Sequence, residues 1–577
     1  MGNFVIGMHI GHNSSAAIIE NGSLIYAVQE ERLTRIKNQG GLPEKGLKEI
    51  EDKIYDITTN NCTIQLANGW KTMFRGFWQR DDLLRAYENS SRSLISSVQH
   101  LGRKTKIVSD IIDSKRLLKA EEKVKGILKS PEVKITPWEH HLCHAAAAYH
   151  GWGKMDEKIL ILTCDGSGDG ICASVNIGYA GQIERIAEVE QSNSIGRLYS
   201  NVTYLMGMAP LEHEYKIMGL APYSEKAKET ALIANKLEEL FIFNKKNPLI
   251  WQRNGCPPMQ YAHKFLSNLF MHKRFDHIAS GVQKFLENFL VKWVQNCIRE
   301  TGIKKVACSG GVFMNVKANQ KILELPEVDE FFIFPSCGDE TNAIGAGWLL
   351  YRDLYKDEIK PLNNIYLGGA FDNNWVQKEL SEYKFKSKVH VEYVKDIEKR
   401  VAELLAKHEI VARFKGRMEF GARALGNRSI LANPSNPKVV RVINEMIKNR
   451  DFWMPFAQSV LAERSQEYFI KPKGMKAPYM IITFDTREEK REKIMAAIHP
   501  YDYTGRVQEV FEDWNPDYYK LIKYFEGMTG EGCILNTSFN LHGEPLVYSP
   551  KDALRVFDIS GLKYLALEDF LLKKIED

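Results

Sequence analysis

The sequence is poor in the features that mark a secreted, membrane-bound or polyanion-coating protein. Its nine cysteines are scattered, odd in number and contain no CxxC pair, a pattern that argues against a zinc ribbon or a disulfide framework and predicts reduced thiols in a cytoplasm. No apolar run is long enough to span a bilayer. The opening MGNFVIGMHIGHNSS lacks the basic segment and unbroken apolar core of a signal peptide. Charge of one sign is scarce as well. A formal net charge of +5 over 577 residues does not suggest a nucleic-acid-coating chain, although a local basic patch can still hold phosphate. What is present, 44% hydrophobic and 26% charged residues, describes a soluble globular protein of about two to four domains.

The chain opens as a β-meander. Asn3 to Ile10 is apolar and β-prone, Gly11-His12-Asn13-Ser14 is a polar turn, Ala16 to Glu20 returns, and Asn21-Gly22 signals a hairpin into Leu24 to Gln29. The pattern recurs. Lys158 to Thr163 reads as a buried strand, Asp165 to Gly170 (DGSGDG) as a turn, Ile171 to Tyr179 as the return, and Ala180-Gly181 as a turn into Gln182 to Val189. Two copies of one motif predict an internal duplication. In a duplicated fold of this kind each lobe offers a small-residue turn whose N–H groups can approach phosphate. A third element, the strand KKVAC followed by Ser309-Gly310-Gly311 and a helix-like segment, is a strand-to-helix junction where a nucleotide commonly rests. Together they predict an α/β, actin-like or sugar-kinase-like nucleotide fold. Residues 51–135 read as a helical insertion, and the Asp-, Asn- and Gly-rich stretch 357–374 as a domain boundary, with a second α/β domain beyond it.

The stretch WEHHLCHAAAAYH (Trp138 to His150) holds His140 and His144 four residues apart at the head of a predicted helix. That spacing puts two imidazoles on one helical face, where they can grip a metal, while His141 points elsewhere. Asp339, in PSCGDETNAIGAG, is the candidate carboxylate ligand. Two histidines and a carboxylate with open positions suit iron(II) or another divalent metal.

The segments GHNSSA, EHHLCHA, DGSGDG, EHEYKIMGLAPYS, SGGVFMN and CGDETNAIGAG, in this order, resemble the O-carbamoyltransferase family of nodulation-factor, cephamycin, aminoglycoside and ansamycin tailoring. GRMEFGARALGNRSILANP, GRVQEV and LNTSFNLHGEP extend the resemblance to the C-terminal third. It implies a first domain, residues 1–365, like the tRNA threonylcarbamoyl-transferase, and a YrdC-like second domain, residues 366–577. In such enzymes carbamoyl phosphate and Mg-ATP give carbamoyl-adenylate in the second domain, and the carbamoyl group passes to an acceptor hydroxyl at the metal site of the first.

The resemblance assigns roles. His140, His144 and Asp339 match the metal ligands, and His12 matches a histidine near the acceptor that can act as general base. Lys37, Asp165, Gly166, Lys216, Gly310, Gly311 and Asn315 fit the nucleotide of the first domain. In the second, Lys415, Arg417, Arg423 and Arg428, in a loop broken by Gly416, Gly421 and Gly426, suit carbamoyl phosphate and the ATP phosphates, with Arg506 adding a cation. Ser538 and Asn540 match an SxN element able to bond phosphate or nucleotide oxygens. The chain departs from the pattern at Asn38, which replaces a histidine, and at Met454 and Gln458, which replace arginine and proline in a WRPFAPS segment; Arg450 stands nearby. The acceptor is a small molecule, with Trp70, Trp78, Tyr199 and Tyr204 as candidate pocket aromatics, and neither nucleic acid nor membrane is an expected partner. The alternative reading is a tRNA-modifying or tRNA-binding protein built from the same folds, which the small net charge does not favour.

Overall fold

The computed structural model describes residues 3–55, 64–69, 106–130, 132–448 and 450–575. Trp70, Trp78 and most of the segment read as a helical insertion lie outside them. The chain forms two units: residues 1–34 with 38–362, and residues 363–577 with the short segment Arg35–Lys37.

The first unit contains two five-stranded sheets of one topology. In the first, β1 (Phe4–His9), β2 (Ser15–Glu20), β3 (Ser23–Gln29), β4 (Ile64–Asn68) and β5 (Val133–Pro137) lie in the order β3-β2-β1-β4-β5. β1 to β3 form an antiparallel meander, and β4 and β5 add parallel to β1. The second contains β6 (Ile159–Gly168), β7 (Ile171–Tyr179), β8 (Gln182–Glu190) and, beyond a small ribbon of β9 (Phe241–Phe243) and β10 (Trp251–Arg253), β11 (Lys305–Ser309) and β12 (Glu330–Ile333). Its order, β12-β11-β6-β7-β8, repeats the first sheet strand for strand, again with a meander and two parallel additions. The duplication read from the sequence is therefore a duplication of topology.

The hairpins close as their residues dictate. Asn21-Gly22 and Ala180-Gly181 both take positive φ at both positions, 48° and 76°, then 49° and 72°, the backbone that matches the twist of two adjacent strands. Two expectations are corrected. DGSGDG is not one turn: β6 runs on through Gly168 with an irregularity after Cys164, and only Asp169-Gly170 (φ 48° and 96°) turns. Nor is 51–135 simply a helical insertion. It supplies β4 and β5, and between these strands the described residues hold the helix Lys106–Ile127. IQLAN and VKITP are too short to show a period, and only their parallel pairing to β1 makes them core strands.

The alanine run follows from packing. The helix His140–Trp152 buries Ala145 to Ala148 completely, with Ala145 and Ala148 against the second sheet beside Ile159, Ile161 and Ala307. On its other side lies the helix Asn342–Tyr355. A Cβ placed on Gly345 would stand 2.0 Å from the Cys143 carbonyl oxygen, so the two backbones touch. Gly7 of β1 meets the Ala343 carbonyl as closely, at 1.8 Å. Small residues thus bring the histidine helix, the helix that follows Asp339 and β1 to one place.

The second unit is built on a ten-stranded sheet, whose outer strands are β13 (Val389–Tyr393), β22 (Phe570–Lys574) and β21 (Tyr564–Leu567) at one edge and β18 (Thr483–Thr486) and β17 (Phe469–Ile470) at the other. Its central strands are β14 (Val411–Phe414), β15 (Arg428–Ala432), β16 (Ala457–Leu461), β19 (Thr504–Val510) and β20 (Cys533–Ser538). The strand period of two sends Ala412, Ile430 and Leu535 into one core and Val411, Leu431 and Ile534 into the other. Among the described residues no helix is long and apolar enough to cross a membrane.

Candidate metal centre and a buried-lysine site

In the first unit the chemistry gathers where strands end. His9 closes β1 and His12 follows in the next turn, Asp165 lies in the last part of β6, Ser309 closes β11, and Asp339 follows β12 on a short turn leading into the helix Asn342–Tyr355. Carboxyl ends of parallel strands are the usual ligand side of an α/β sheet. The histidine helix is pinned at its start: Glu139 accepts from His141 N and Leu142 N at 2.9 and 2.7 Å and is held in turn by Arg185 at 2.6 Å, while His140 N donates to Asp169 Oδ2 at 2.9 Å.

His140, His144, Asp165 and Asp339 each aim one ligand atom at a common point, all within 4.8 Å of one another. The Nε2 atoms of His140 and His144 are 3.2 Å apart. Asp165 Oδ2 is 3.2 and 3.4 Å from them, and Asp339 Oδ1 3.5 and 3.6 Å. Around one cation with bonds of about 2.0–2.2 Å, neighbouring ligand atoms stand about 3.0–3.6 Å apart. Asp339 Oδ1 accepts no hydrogen bond although it is buried. His144 Nδ1 lies 3.2 Å from Ser309 Oγ, which lets it donate outward and turn its Nε2 lone pair inward. The residues therefore fit a divalent cation. Asp165, expected at the nucleotide, belongs to this set by position. His141 is turned away, to Thr163 Oγ1 at 2.8 Å and the Ile171 carbonyl at 3.2 Å.

Without the cation, protons compensate the carboxylates. Burial alone would depress the imidazoles of His140 and His144; the Asp339 charge at the first, and the facing Asp165 and Asp339 carboxylates at the second, raise both, His140 well above the ordinary histidine value. Burial works against the Asp339 carboxylate, and the neighbouring His12 and His140 nevertheless hold it well below its usual range. His12 stands 3.0 Å from Asp339 Oδ2 through Nε2, with 32% of its side chain exposed. Burial opposes the Asp339 charge there too, and the charge prevails, raising His12. His9 is fully buried and pushed down to about 3, chiefly by burial.

The other expected residues of this unit sit on separate elements. A Cβ on Gly311 would lie 2.8 Å from Asp165 Oδ1, so the Gly310-Gly311 junction abuts the cluster. Asn315 caps the helix Val316–Leu323 and exchanges hydrogen bonds with Gln283 at 2.8 and 2.9 Å. Gly166 N bonds Asp165 Oδ1 at 2.6 Å, and Lys216 sits in the helix Glu214–Leu220. Tyr199 donates to Gln283. Lys37, assigned to the first domain from sequence, falls in the second unit.

In the second unit the structure brings together Ser538, Asn540 and a residue the sequence reading passed over, Lys448. This lysine ends a π-helical turn, Asn444–Lys448, of the kind often found at functional sites. It is 2% exposed and donates to Ser538 Oγ at 2.9 Å, Asn540 Oδ1 at 2.7 Å and the Ser538 carbonyl. Burial first, and Arg450 second, push its ammonium well below the usual lysine value. The signal available in the sequence was Lys448-x-Arg450, two cations at the end of a helical stretch.

The basic loop is differently employed. Gly416, Gly421 and Gly426 all have positive φ, so the segment is a loop as read. Lys415 is committed to Asp569 at 2.6 Å and Glu398 at 3.2 Å. Arg428 is fully buried over the Phe414 ring and donates to the carbonyls of Lys415, Gly416 and Asn427, so it braces the loop instead of facing an anion. Arg417 donates to the carbonyls of Leu367 and Gly368. Glu419 turns inward to accept from Leu425 N and Arg428 N. Arg423 lies in this loop and Arg506 on β19 opposite Thr483. Of the three departures, Met454 and Gln458 are buried, and neither side-chain polar atom of Gln458 has a hydrogen-bond partner among the described residues.

Residues 5–348 match the family described as Carbamoyltransferase N-terminus and residues 402–574 the family described as Carbamoyltransferase C-terminus. The chain belongs to the carbamoyltransferase family, and its class of reaction is carbamoyl transfer. Nodulation protein NolNO of Sinorhizobium fredii is 30% identical over 98% of this chain and 79% of its own length. A protein of Synechocystis sp. is 31% identical over 98% of this chain and 95% of its own. Among solved structures, full-length HypF in its phosphate- and nucleotide-bound form is similar at 15% identity, covering 61% of this chain and 56% of that one with a TM-score of 0.33.

Proposed function

We propose that the chain is an ATP-dependent O-carbamoyltransferase. Its second, YrdC-like unit makes carbamoyl-adenylate from carbamoyl phosphate and Mg-ATP with release of pyrophosphate, and its first unit passes the carbamoyl group to a hydroxyl of a small-molecule acceptor. The observation that carries this reading is the convergence of His140, His144, Asp165 and Asp339 on one point, in the half of the chain that matches the N-terminal family. A divalent metal held there, iron(II) in this reading, supplies Lewis-acid withdrawal of charge from the carbamoyl-adenylate.

The chain's own residues account for the remaining steps. His12 donates Nε2–H to Asp339 Oδ2, and its buried Nδ1, which has no hydrogen-bond partner among the described residues, is the atom that takes the proton of the acceptor hydroxyl. Asp339 strengthens that base through its charge. Gly310, Gly311 and Asn315 border the nucleotide, with Lys216 a further cation. In the second unit Lys448, Ser538 and Asn540 form a compact anion site, and Arg423, Arg450 and Arg506 are its candidate guanidinium partners.

Purified protein given ATP and carbamoyl phosphate, with no acceptor, tests the reading. Carbamoyl-phosphate-dependent pyrophosphate release that survives His140→Ala but is lost in Lys448→Ala supports the division of labour. Absence of pyrophosphate with any divalent metal rules out the adenylate route. Elemental analysis of anaerobically purified protein reads the identity of the metal.

A further inference from the structure

We propose that Arg197, held by Ser167 beside Asp165, binds an oxyanion, phosphate or carboxylate, of the molecule that occupies the metal centre. The inference rests on the transfer reading of the first unit. Arg197 lies in the first turn of the eleven-residue helix Ile195–Leu205. That helix is anchored on the backbone of Asp165: its cap residue Ser194 donates from Oγ to the Asp165 carbonyl at 3.2 Å, and a Cβ on Gly196 would lie 2.9 Å from the same oxygen. The guanidinium reaches Ser167, donating to Oγ at 3.2 Å from Nε and 2.5 Å from Nη2. Ser167 lies two residues after Asp165 on the same strand and directly before Gly168, where a Cβ would fall 2.2 Å from the His140 ring.

Its charge is handled unlike that of three other arginines in the unit, although Arg253 and Arg352 likewise donate to neutral groups, the carbonyls of Cys256 and Ala180. Arg32, Arg185 and Arg274 each face a carboxylate at 2.6–2.9 Å. Among the described residues no carboxylate lies within ion-pair distance of Arg197; its contacts are to a neutral hydroxyl. Ser167 Oγ accepts twice from the guanidinium, leaving its proton to donate. Among the four candidate ligands, the position lies next to the most exposed one. Asp165 is 14% exposed, whereas His140 and His144 are fully buried and Asp339 is 2% exposed. A part-exposed guanidinium with spare donors there offers the planar fork that oxyanions take in pairs. Two sources share this chemistry: the phosphate of the adenylate, and an acidic group on the acceptor.

The test uses full-length, metal-loaded protein in a Lys448→Ala background, which silences the second unit's anion site, and calorimetric titration with adenosine, AMP and inorganic phosphate. Loss of a charged pair of hydrogen bonds predicts that Arg197→Gln weakens AMP about 10- to 100-fold with adenosine unchanged, if the adenylate is the source. If the acceptor is the source, AMP is unchanged and inorganic phosphate binding to the AMP-loaded protein falls by the same factor. Arg197→Lys retains part of the affinity and Ser167→Ala loses a smaller part. The inference is overturned if Arg197→Gln leaves both AMP and phosphate within twofold of the parent, or if the parent binds neither. Should Arg197→Gln fail to fold, the lysine and Ser167→Ala variants decide by the same ligands. Pyrophosphate release, measured with Lys448 intact, is independent of Arg197, so its absence would count against the adenylate reading alone.

Discussion

The two candidate sites are opposites in charge. In the first unit two carboxylates and two imidazole nitrogens converge on one point, an excess of acceptors in a buried place. In the second a buried ammonium is surrounded by neutral hydroxyl, amide and carbonyl oxygens, with no carboxylate among its hydrogen-bond partners. Burial of either excess is costly unless a ligand of opposite sign completes it. The first arrangement calls for a cation and the second for an anion, and the proposed division between transfer and activation rests on that contrast.

The largest effects should come from removing that complementarity at one site and leaving it at the other. Asp165→Asn or His144→Ala should abolish stoichiometric metal binding by elemental analysis and lower acceptor carbamoylation about 10²- to 10⁴-fold, the value of several kcal/mol of charge stabilisation. Pyrophosphate release should remain. Lys448→Ala should reverse the pattern: metal content intact, pyrophosphate release lower by about 10²-fold or more, since a hydrogen bond from a charged group contributes about 1.5–3 kcal/mol. A variant that removes both properties would collapse the comparison.

A smaller effect is expected from pH. His140 and His144 have raised values in the folded metal-free protein, so their protonated forms stabilise it fully below the unfolded histidine value of about 6.5. That contribution is lost as pH rises through the raised folded values. A bound cation displaces the same protons, so metal affinity should rise with pH over this window, by about tenfold per unit for each proton displaced. Thermal melts with and without metal should diverge from below pH 6.5 upward. A metal-induced shift that shrinks with pH would contradict the proton–metal competition.

Legibility from the sequence followed the range of the interactions. The i, i+4 histidines, the Asn21-Gly22 turn and the positive-φ glycines of the basic loop are local, and each was readable from residue type and spacing. Asp339 was a candidate from its place in PSCGDETNAIGAG, and the motif resemblance then matched it to a metal ligand. What escaped was non-local. The five residues Ile64–Asn68 become a core strand only by pairing with β1. Asp165 joins the imidazoles because β6 continues past the point where its glycines suggested a turn. Lys448 meets Ser538 across 90 residues of sequence. Arg428 looked like a phosphate ligand by composition, and burial of its side chain, invisible in composition, turns its donors to carbonyls.

The smallest effect sharpens the comparison, because it disturbs one site without touching a ligand. Gly345 sits where the helix following Asp339 meets the carbonyl of Cys143, the residue before His144. A methyl group there cannot be absorbed by a flexible side chain, since the obstacle at 2.0 Å is backbone. Gly345→Ala must push the two helices apart, at about 1–3 kcal/mol of overpacking, and the melting temperature should fall accordingly. The same displacement separates His144 from Asp339, so metal affinity should weaken while pyrophosphate release stays at the parent rate. If the melting temperature falls but metal affinity does not, the cluster draws its geometry from local caps such as Glu139, and the small-residue contact serves stability alone.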